Sequence, residues 1–322
     1  MSETRTLRIA VLLDGRPGHE KQTKGILQAM QTMAAVDFFP IRVRREKPQM
    51  LLFRTLSLLL TGGAFFPGLP DISNETDLLL GTGSTTHLPL LGLKKRYGVP
   101  AITCMKPPLH LRKRFDLCCV PEHDGLREGG NIMLTSGAPN CSINRGNHQA
   151  DRGLILLGGI DQKSHRWDSE QLCAMVRRIL EAEGAMHWYI SSSPRTPPET
   201  VRMLDRLARE STNATFFRYQ DTKTGWIEEQ YDASSKVWVS ADSISMMYEA
   251  LTAGCKVGIL PVEWKRNGKF KRNEDLLVQK GLVVPYPLWA NGCCAWREDI
   301  NINEAQRCAE RILRKWFPDS LQ

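Results

Sequence analysis

Short apolar runs alternate with amphipathic stretches along the whole chain. Apolar runs at residues 7–13, 36–43, 77–81, 101–104 and 115–120 read as buried strands. Helical spacing of apolar residues fills the gaps at 20–33, 49–61 and 85–97. The same alternation restarts near residue 151, with strands expected at 153–157, 186–191, 215–217, 237–240 and 256–260. Helices are expected there at 168–183, 197–210, 243–253 and 273–280. Strands alternating with helices of this length predict βαβ units and parallel sheets, hence an α/β fold. The polar stretch at 140–151, bearing Asn and Gly, is the best linker. The expected organisation is therefore two doubly wound, Rossmann-like domains, 1–150 and 151–322, facing each other across a cleft. A last amphipathic segment within 302–317 is free to pack back on the first domain.

Charge changes this picture by dividing it. The 322 residues carry 43 Lys and Arg against 35 Asp and Glu, net +8. Residues 1–150 hold 19 basic and 12 acidic side chains, net +7, and the rest is close to neutral. The clusters are Arg42, Arg44, Arg45 and Lys47; Lys94, Lys95 and Arg96; and Arg112, Lys113 and Arg114. An asymmetry of this kind points to an anionic partner. Beside the first cluster runs the apolar stretch 51–60, followed by Phe65 and Phe66, which suits docking on an anionic membrane surface, though a buried core helix with solvated loop charges is the more ordinary reading of the apolar residues. Aromatics do not interleave with the basic clusters, so no nucleic-acid partner is expected.

The apolar run at 9–13 is too short for a signal segment. The run at 50–60 is broken by Arg54, followed by Gly62-Gly63, and falls short of the roughly 20 residues a spanning helix needs. Nine cysteines, among them the adjacent pairs Cys118-Cys119 and Cys293-Cys294, show no Cys-x-x-Cys. Reduced thiols in a cytoplasmic setting are expected.

Candidate chemistry lies at the carboxyl ends of the expected strands, where open α/β sheets bind ligands. Asp14-Gly-Arg-Pro-Gly-His19 joins the first strand to the first helix. It is neither Gly-x-Gly-x-x-Gly nor a Walker loop, so no dinucleotide cofactor is indicated. His19, with Asp14 in the same loop, suits a general base that activates a hydroxyl; the plainer alternative is a capping or surface histidine. Gly81-Thr-Gly-Ser84 is a second strand-to-helix loop, or an ordinary turn with Ser84 as N-cap. Gly158 and Gly159 end one strand of the second half, and Ser191-Ser192-Ser193-Pro-Arg195 ends the next. Such residues can hydrogen-bond phosphate oxygens without bulk, and Arg195 can add a bidentate charge. Ser240-Ala-Asp242-Ser243 ends a strand and opens a helix, with Asp242 or Ser243 as N-cap. Glu249, two turns into that helix, could accept paired hydrogen bonds from ribose hydroxyls. Glu122-His-Asp124 are consecutive on one loop and read as loop or substrate contact; no Asp-x-Asp follows a strand, so no metal is expected.

Six segments in order carry a family resemblance. They are Asp14 to Gln22, Phe115 to Asp124, Asn131 to Asn140, Leu156 to Gly159, Ser192 to Pro197 and Val239 to Ala250. Together they resemble the mitochondrial fission Elm family, a plant fission factor with bacterial relatives described as glycosyltransferases of lipopolysaccharide assembly. The resemblance spans roughly residues 8–285, with Cys118 and Cys119 where aliphatics are usual. Gly18-His19, and Glu249 five residues before Gly254, are also similar to the GT-B transferase that adds N-acetylglucosamine to the lipid precursor of peptidoglycan. There the loop histidine lies on the acceptor side and the helix glutamate holds the nucleotide ribose. Arg16-Pro17-Gly18 stands where that loop usually has a double glycine.

The resemblance implies a GT-B-like glycosyltransferase, peripheral at the inner membrane. It would move a sugar from a nucleotide-sugar donor to a lipid-linked or polysaccharide acceptor, inverting and without metal or cofactor. Catalysis would fall to His19 and Asp14. Donor binding would fall to Gly158, Gly159, Ser192, Ser193, Arg195, Ser240, Asp242, Ser243 and Glu249. Gly15, Arg16, Gly18, Gly83 and Ser84 would face the acceptor. A non-catalytic GT-B-like membrane scaffold, or a nucleotide-sugar epimerase or hydrolase, stays open on the sequence.

Overall fold

The computed structural model describes residues 5–321 except 46, 62–65, 67, 294 and 299. Gly62, Gly63, Phe65 and Cys294, singled out above, lie outside the described residues. The chain divides into two compact units, Met1–Cys141 with Asn303–Gln322, and Ser142–Ile302.

In the first unit the elements are β1 (Leu7–Leu13), α1 (Pro17–Gln31), β2 (Val36–Arg42), α2 (Pro48–Thr61), β3 (Leu78–Thr82), α3 (Ser84–Tyr97), β4 (Ala101–Cys104), α4 (Leu109–Arg112), β5 (Leu117–Pro121) and β6 (Ile132–Thr135). The second unit continues with β7 (Gln149–Leu156), β8 (His165–Arg166), α5 (Ser169–Ala182), β9 (His187–Ser191), α6 (Pro198–Glu210), β10 (Ala214–Phe217), α7 (Trp226–Ala233) and β11 (Ser234–Ser240). It ends with α8 (Ile244–Thr252), β12 (Lys256–Leu260), β13 (Glu263–Trp264), α9 (Lys269–Gln279), β14 (Val283–Pro285) and α10 (Tyr286–Ala290). The last helix, α11 (Glu304–Trp316), belongs to the first unit.

Each unit is built on a six-stranded sheet, in the order β2-β1-β3-β4-β5-β6 and β10-β9-β7-β11-β12-β14. Every pairing within the two sheets is parallel. Buried parallel strands are apolar without alternation because helices cover both faces. β3, β4 and β5 are buried along their whole length. β2 pairs only with β1, and that edge position tolerates Pro40, which has no N–H to donate. On one face of the first sheet Ile26, Leu27 and Met30 of α1 pack with Cys308, Ala309, Ile312 and Leu313 of α11. On the other, Leu58 of α2, Leu88 and Leu91 of α3 and Leu111 of α4 form a separate core. The second sheet is covered by α5 and α6 on one face and by α7, α8 and α9 on the other.

The division falls after Cys141, not after residue 150 as the polar stretch suggested. Asn147 donates to Asp232 at 3.0 Å, and Gln149 already pairs with Ser234 in the second sheet, so this segment packs on the second unit. β6, α4, α7 and α10 go beyond the expected elements. They are short, and burial against neighbours fixes them where periodicity cannot. The eight described cysteines are all free thiols.

What positions chemistry is the strand order. β1 lies between β2 and β3, and β7 between β9 and β11. Connections leave β1 and β7 in opposite directions across the sheet, so each opens a crevice at its carboxyl end. The loops there are 14–16 and 83 in the first unit, and 157–159 and 241–243 in the second.

Candidate active site

In the first unit α1 starts abruptly because Pro17 sits at its first position, where the missing N–H costs no helical bond. No side chain caps it. Instead Arg16 N–H donates to Asp14 Oδ1 at 3.1 Å, and Gly15 N–H to Glu20 Oε1 at 3.2 Å. The other oxygen, Asp14 Oδ2, lies 2.8 Å from His19 Nδ1, with 1% of the Asp14 side chain and 15% of the His19 side chain exposed. A carboxylate can only accept, so Nδ1 carries the proton and the lone pair stands on Nε2. Gly83, at φ 104°, closes over this pair. A Cβ there would collide with the His19 ring and come within 2.7 Å of Asp14 Oδ2. Thr82 Oγ1 meets Thr23 Oγ1 at 2.8 Å, tying the end of β3 to α1.

Gly15, Arg16 and Gly18 are exposed around the pair, the last within the first turn of α1. Ser84 is exposed as the first residue of α3, and Gly83 rather than Ser84 occupies the cap position. Sequence reasoning missed His87, one turn into α3. The residue is 2% exposed, neither ring nitrogen has a hydrogen-bond partner among the described residues, and it meets Phe115 edge-on at 5.5 Å. Burial, and secondly the nearby His19, pushes its pKa down to about 4.

In the second unit the turn at Gly158 and Gly159 is held from both neighbouring strands. Gly158 N–H donates to Ser240 Oγ at 2.7 Å, and Gly159 N–H to Asp242 Oδ2 at 3.0 Å. Ser193 Oγ donates to Gly158 O at 2.6 Å, and Thr196 Oγ1 donates to the same carbonyl. A Cβ on Gly158 would collide with the Asp242 carboxylate, and one on Gly159 with the backbone of Arg195. These glycines are required by close approach. Arg195 donates from Nη1 to Gly159 O at 3.0 Å and from Nη2 to Asp242 Oδ2 at 2.8 Å.

This network gives the expected donor residues bonds of their own. Ser240, Asp242 and Ser193 are buried and bonded to the turn and to its neighbours, which fixes its shape. Asp242 does not cap α8, and Ser243, at the cap position, makes no side-chain cap bond. Ser192 is also buried and accepts from Tyr219 N–H at 3.2 Å. Arg195, beside the turn, has 43% of its side chain exposed, and Glu249 of α8 is half-buried. The first intrahelical bond of α8 runs from Met247 N–H to Ser243 O, which leaves the amides before it free of the helix. His165 and Thr196 were not foreseen. His165 is buried, and its Nε2 donates to Gly159 O at 3.1 Å.

The arrangement offers a paired imidazole in one unit and, in the other, a guanidinium beside a fixed turn and the first amides of α8. The family model for mitochondrial fission ELM1 matches residues 17–316. The chain belongs to the mitochondrial fission ELM1 family. No curated protein sequence matches it. Among solved structures it is similar to the UDP-GlcNAc 2-epimerase from Methanocaldococcus jannaschii, at 12% identity and TM-score 0.57, over 96% of this chain and 100% of that one. It is similar to Acinetobacter baumannii MurG at 12% identity and TM-score 0.56, over 96% and 99%. The S. aureus MnaA-UDP co-structure matches at 13% identity and TM-score 0.50, over 98% and 90%. This ELM1-family chain therefore has a GT-B-like α/β fold of two Rossmann-like units. The match begins at the first residue of α1, so Asp14 lies outside the matched residues and His19 within them.

Proposed function

We propose that this ELM1-family protein is a glycosyltransferase, and the observation that carries the reading is the Asp14–His19 pair at the switch point of the first sheet. Asp14 holds the ring with Nδ1 protonated. Nε2 then takes the proton of an acceptor hydroxyl as its oxygen attacks the anomeric carbon of a nucleotide sugar. The bond from that carbon to the diphosphate breaks, and the nucleoside diphosphate leaves with the electron pair. One base on the acceptor side fits a single, inverting displacement, which we read as needing no metal or further cofactor. The second unit would bind the donor, its diphosphate at the Gly158–Gly159 turn, Arg195 and the start of α8, and its ribose at Glu249. The printed names of the similar structures, UDP-GlcNAc 2-epimerase and a UDP co-structure, support a nucleotide-sugar ligand.

The acceptor is read as lipid-linked because of α2. Its helical wheel is turned inside out. Arg54 and Ser57 are buried with Leu58, while Leu51, Leu52, Phe53, Leu56, Leu59 and Leu60 face outward, Leu52 at 62% and Leu60 at 80% exposure. Arg42, Arg44, Arg45 and Lys47, just ahead of it, are exposed. An apolar face beside cations fits the headgroup region of an anionic bilayer. No helix among the described residues is long and apolar enough to cross a membrane. The reading is a peripheral enzyme on the cytoplasmic side of the inner membrane, acting on a glycolipid or lipid-linked polysaccharide.

A transfer assay over a panel of nucleotide sugars and lipid-linked acceptors, run with calorimetry of the donor, tests this. His19→Ala should keep donor affinity and lose transfer. Full transfer by that variant would remove the base assignment. Release of free nucleotide at the same rate without acceptor would favour a hydrolase or epimerase.

A further inference from the structure

Beside the Gly158–Gly159 turn the second unit holds a cavity of about 260 Å³ that the reading above leaves unused. Its walls are the chain after β7, with Asp161, Lys163 and Ser164, and the chain between β12 and α9, with Trp264, Arg266 and Phe270. The walls are fixed to each other. β8 pairs antiparallel with β13, Lys265 N–H donates to Ser164 O at 3.0 Å, and Lys265 Nζ donates to Gln162 O at 2.7 Å. His165 joins the cavity to the turn: it accepts the Ser164 hydroxyl at Nδ1, 2.8 Å away, and donates from Nε2 to Gly159 O.

The lining has two chemical halves. Trp264 and Phe270 lie nearly parallel, at 10° with centroids 6.1 Å apart, and offer an aromatic, apolar wall. Opposite in character are Lys163 and Arg266, whose side chains make no ion pair or hydrogen bond among the described residues. Lys271 is taken by Asp275. Asp161 adds one carboxylate to the lining, which accepts Lys163 N–H at 3.0 Å; that bond holds its pKa below the usual value and keeps it ionised, so the two cations outweigh it by one charge. The cavity is smaller than the roughly 300–1,000 Å³ of pockets that take a drug-sized ligand, which matches one sugar ring and not a second nucleotide. A neutral hexose would fill the space and leave that net positive charge unmatched. A ring carrying a carboxylate would meet the two cations with charge-assisted hydrogen bonds.

We propose that this cavity receives the glycosyl group of the donor and that this group is an acidic sugar of the uronic-acid class. Its ring lies against Trp264 and Phe270 and its carboxylate between Lys163 and Arg266. The proposal rests on the nucleotide-sugar reading given above.

Calorimetry of the full chain at low ionic strength, with UDP, UDP-glucose, UDP-glucuronate and glucuronate 1-phosphate, tests it. UDP-glucuronate should bind about tenfold tighter than UDP-glucose. In a Lys163→Gln, Arg266→Gln double variant, which alters two side chains without partners, the two sugars should bind alike and UDP should bind as before. Equal binding of both sugars by the unaltered chain overturns the acidic-sugar site and leaves the nucleotide-sugar reading standing. Binding of glucuronate 1-phosphate alone, lost in the double variant, supports the site and removes the nucleotide. No heat from any of the four overturns both.

Discussion

At the scale of single residues the chain's chemistry depends on which side of a side chain is engaged. Asp14 has one oxygen on the Arg16 amide and the other on His19, so its removal would free both the loop amide and the ring. Asp14→Asn keeps the shape but presents an amide nitrogen or a weaker acceptor to Nδ1. We expect transfer to fall about 10²- to 10⁴-fold, the size of a general-base contribution, with donor affinity unchanged, in steady-state assays paired with calorimetry. His87 makes a second, separate prediction. Its folded pKa lies near 4, below the ordinary 6.5, so the unfolded chain binds the proton more readily. The stability linked to keeping this ring neutral is full above pH 6.5 and is lost as pH falls toward 4. The amount is on the order of 3 kcal/mol. His87→Leu should flatten that part of the pH dependence of thermal unfolding; an identical slope in both proteins would refute the assignment. His19 was legible in the sequence because a Gly-His step followed an apolar strand. His87 was not, since its burial depends on Phe115, which comes from a distant part of the chain. The loops of the second unit were legible by place, at strand ends. The direction of their hydroxyls was not, because Ser240 and Ser193 face carbonyls and amides that only the parallel pairing brings near.

At the scale of elements α2 shows what periodicity leaves open. An apolar stretch of this length reads as a core helix or a surface one, because both are rich in Leu. The burial of Arg54 and Ser57 beside Leu58 decides the matter: the polar residues have gone inward and the leucines outward. Arg54 lies 5.1 Å from the centroid of the Phe66 ring, so its charge has an aromatic face inside. A helix so arranged in water needs a partner for its outer face. The chain should co-sediment with vesicles containing anionic lipid and only weakly with neutral ones. Each cation near such a surface contributes about 1 kcal/mol, so replacing Arg44 and Arg45 by Gln should weaken binding roughly 30-fold, and added salt should do the same. Leu52→Asp with Leu60→Asp should abolish it at any salt. Unchanged sedimentation of both variants would show that α2 serves something other than lipid.

At the scale of the whole molecule the chain leaves its first unit at Cys141, builds the second, and returns to the first with α11. Redrawn at these boundaries the charge keeps its asymmetry: 22 basic against 15 acidic side chains in the first unit, net +7, and +1 in the second. The return has an energetic consequence that the linear order conceals. Ile312 and Leu313 are fully buried against α1, with Cys308 and Ala309 beside them. Burying two such aliphatic side chains stabilises by roughly 3–6 kcal/mol, a large part of the roughly 5–15 kcal/mol that holds a domain folded. The C-terminal twenty residues are therefore a structural part of the N-terminal unit. A chain ending at Ile302 should lose protease resistance across 5–141, while 142–302 stays folded, since no core residue of the second unit comes from α11. Limited proteolysis read by mass spectrometry distinguishes the two halves. The truncated chain should still bind the donor nucleotide and should fail both in transfer and on vesicles. Equal protection of both halves would mean that α11 contributes little to the first core, against the burial seen here.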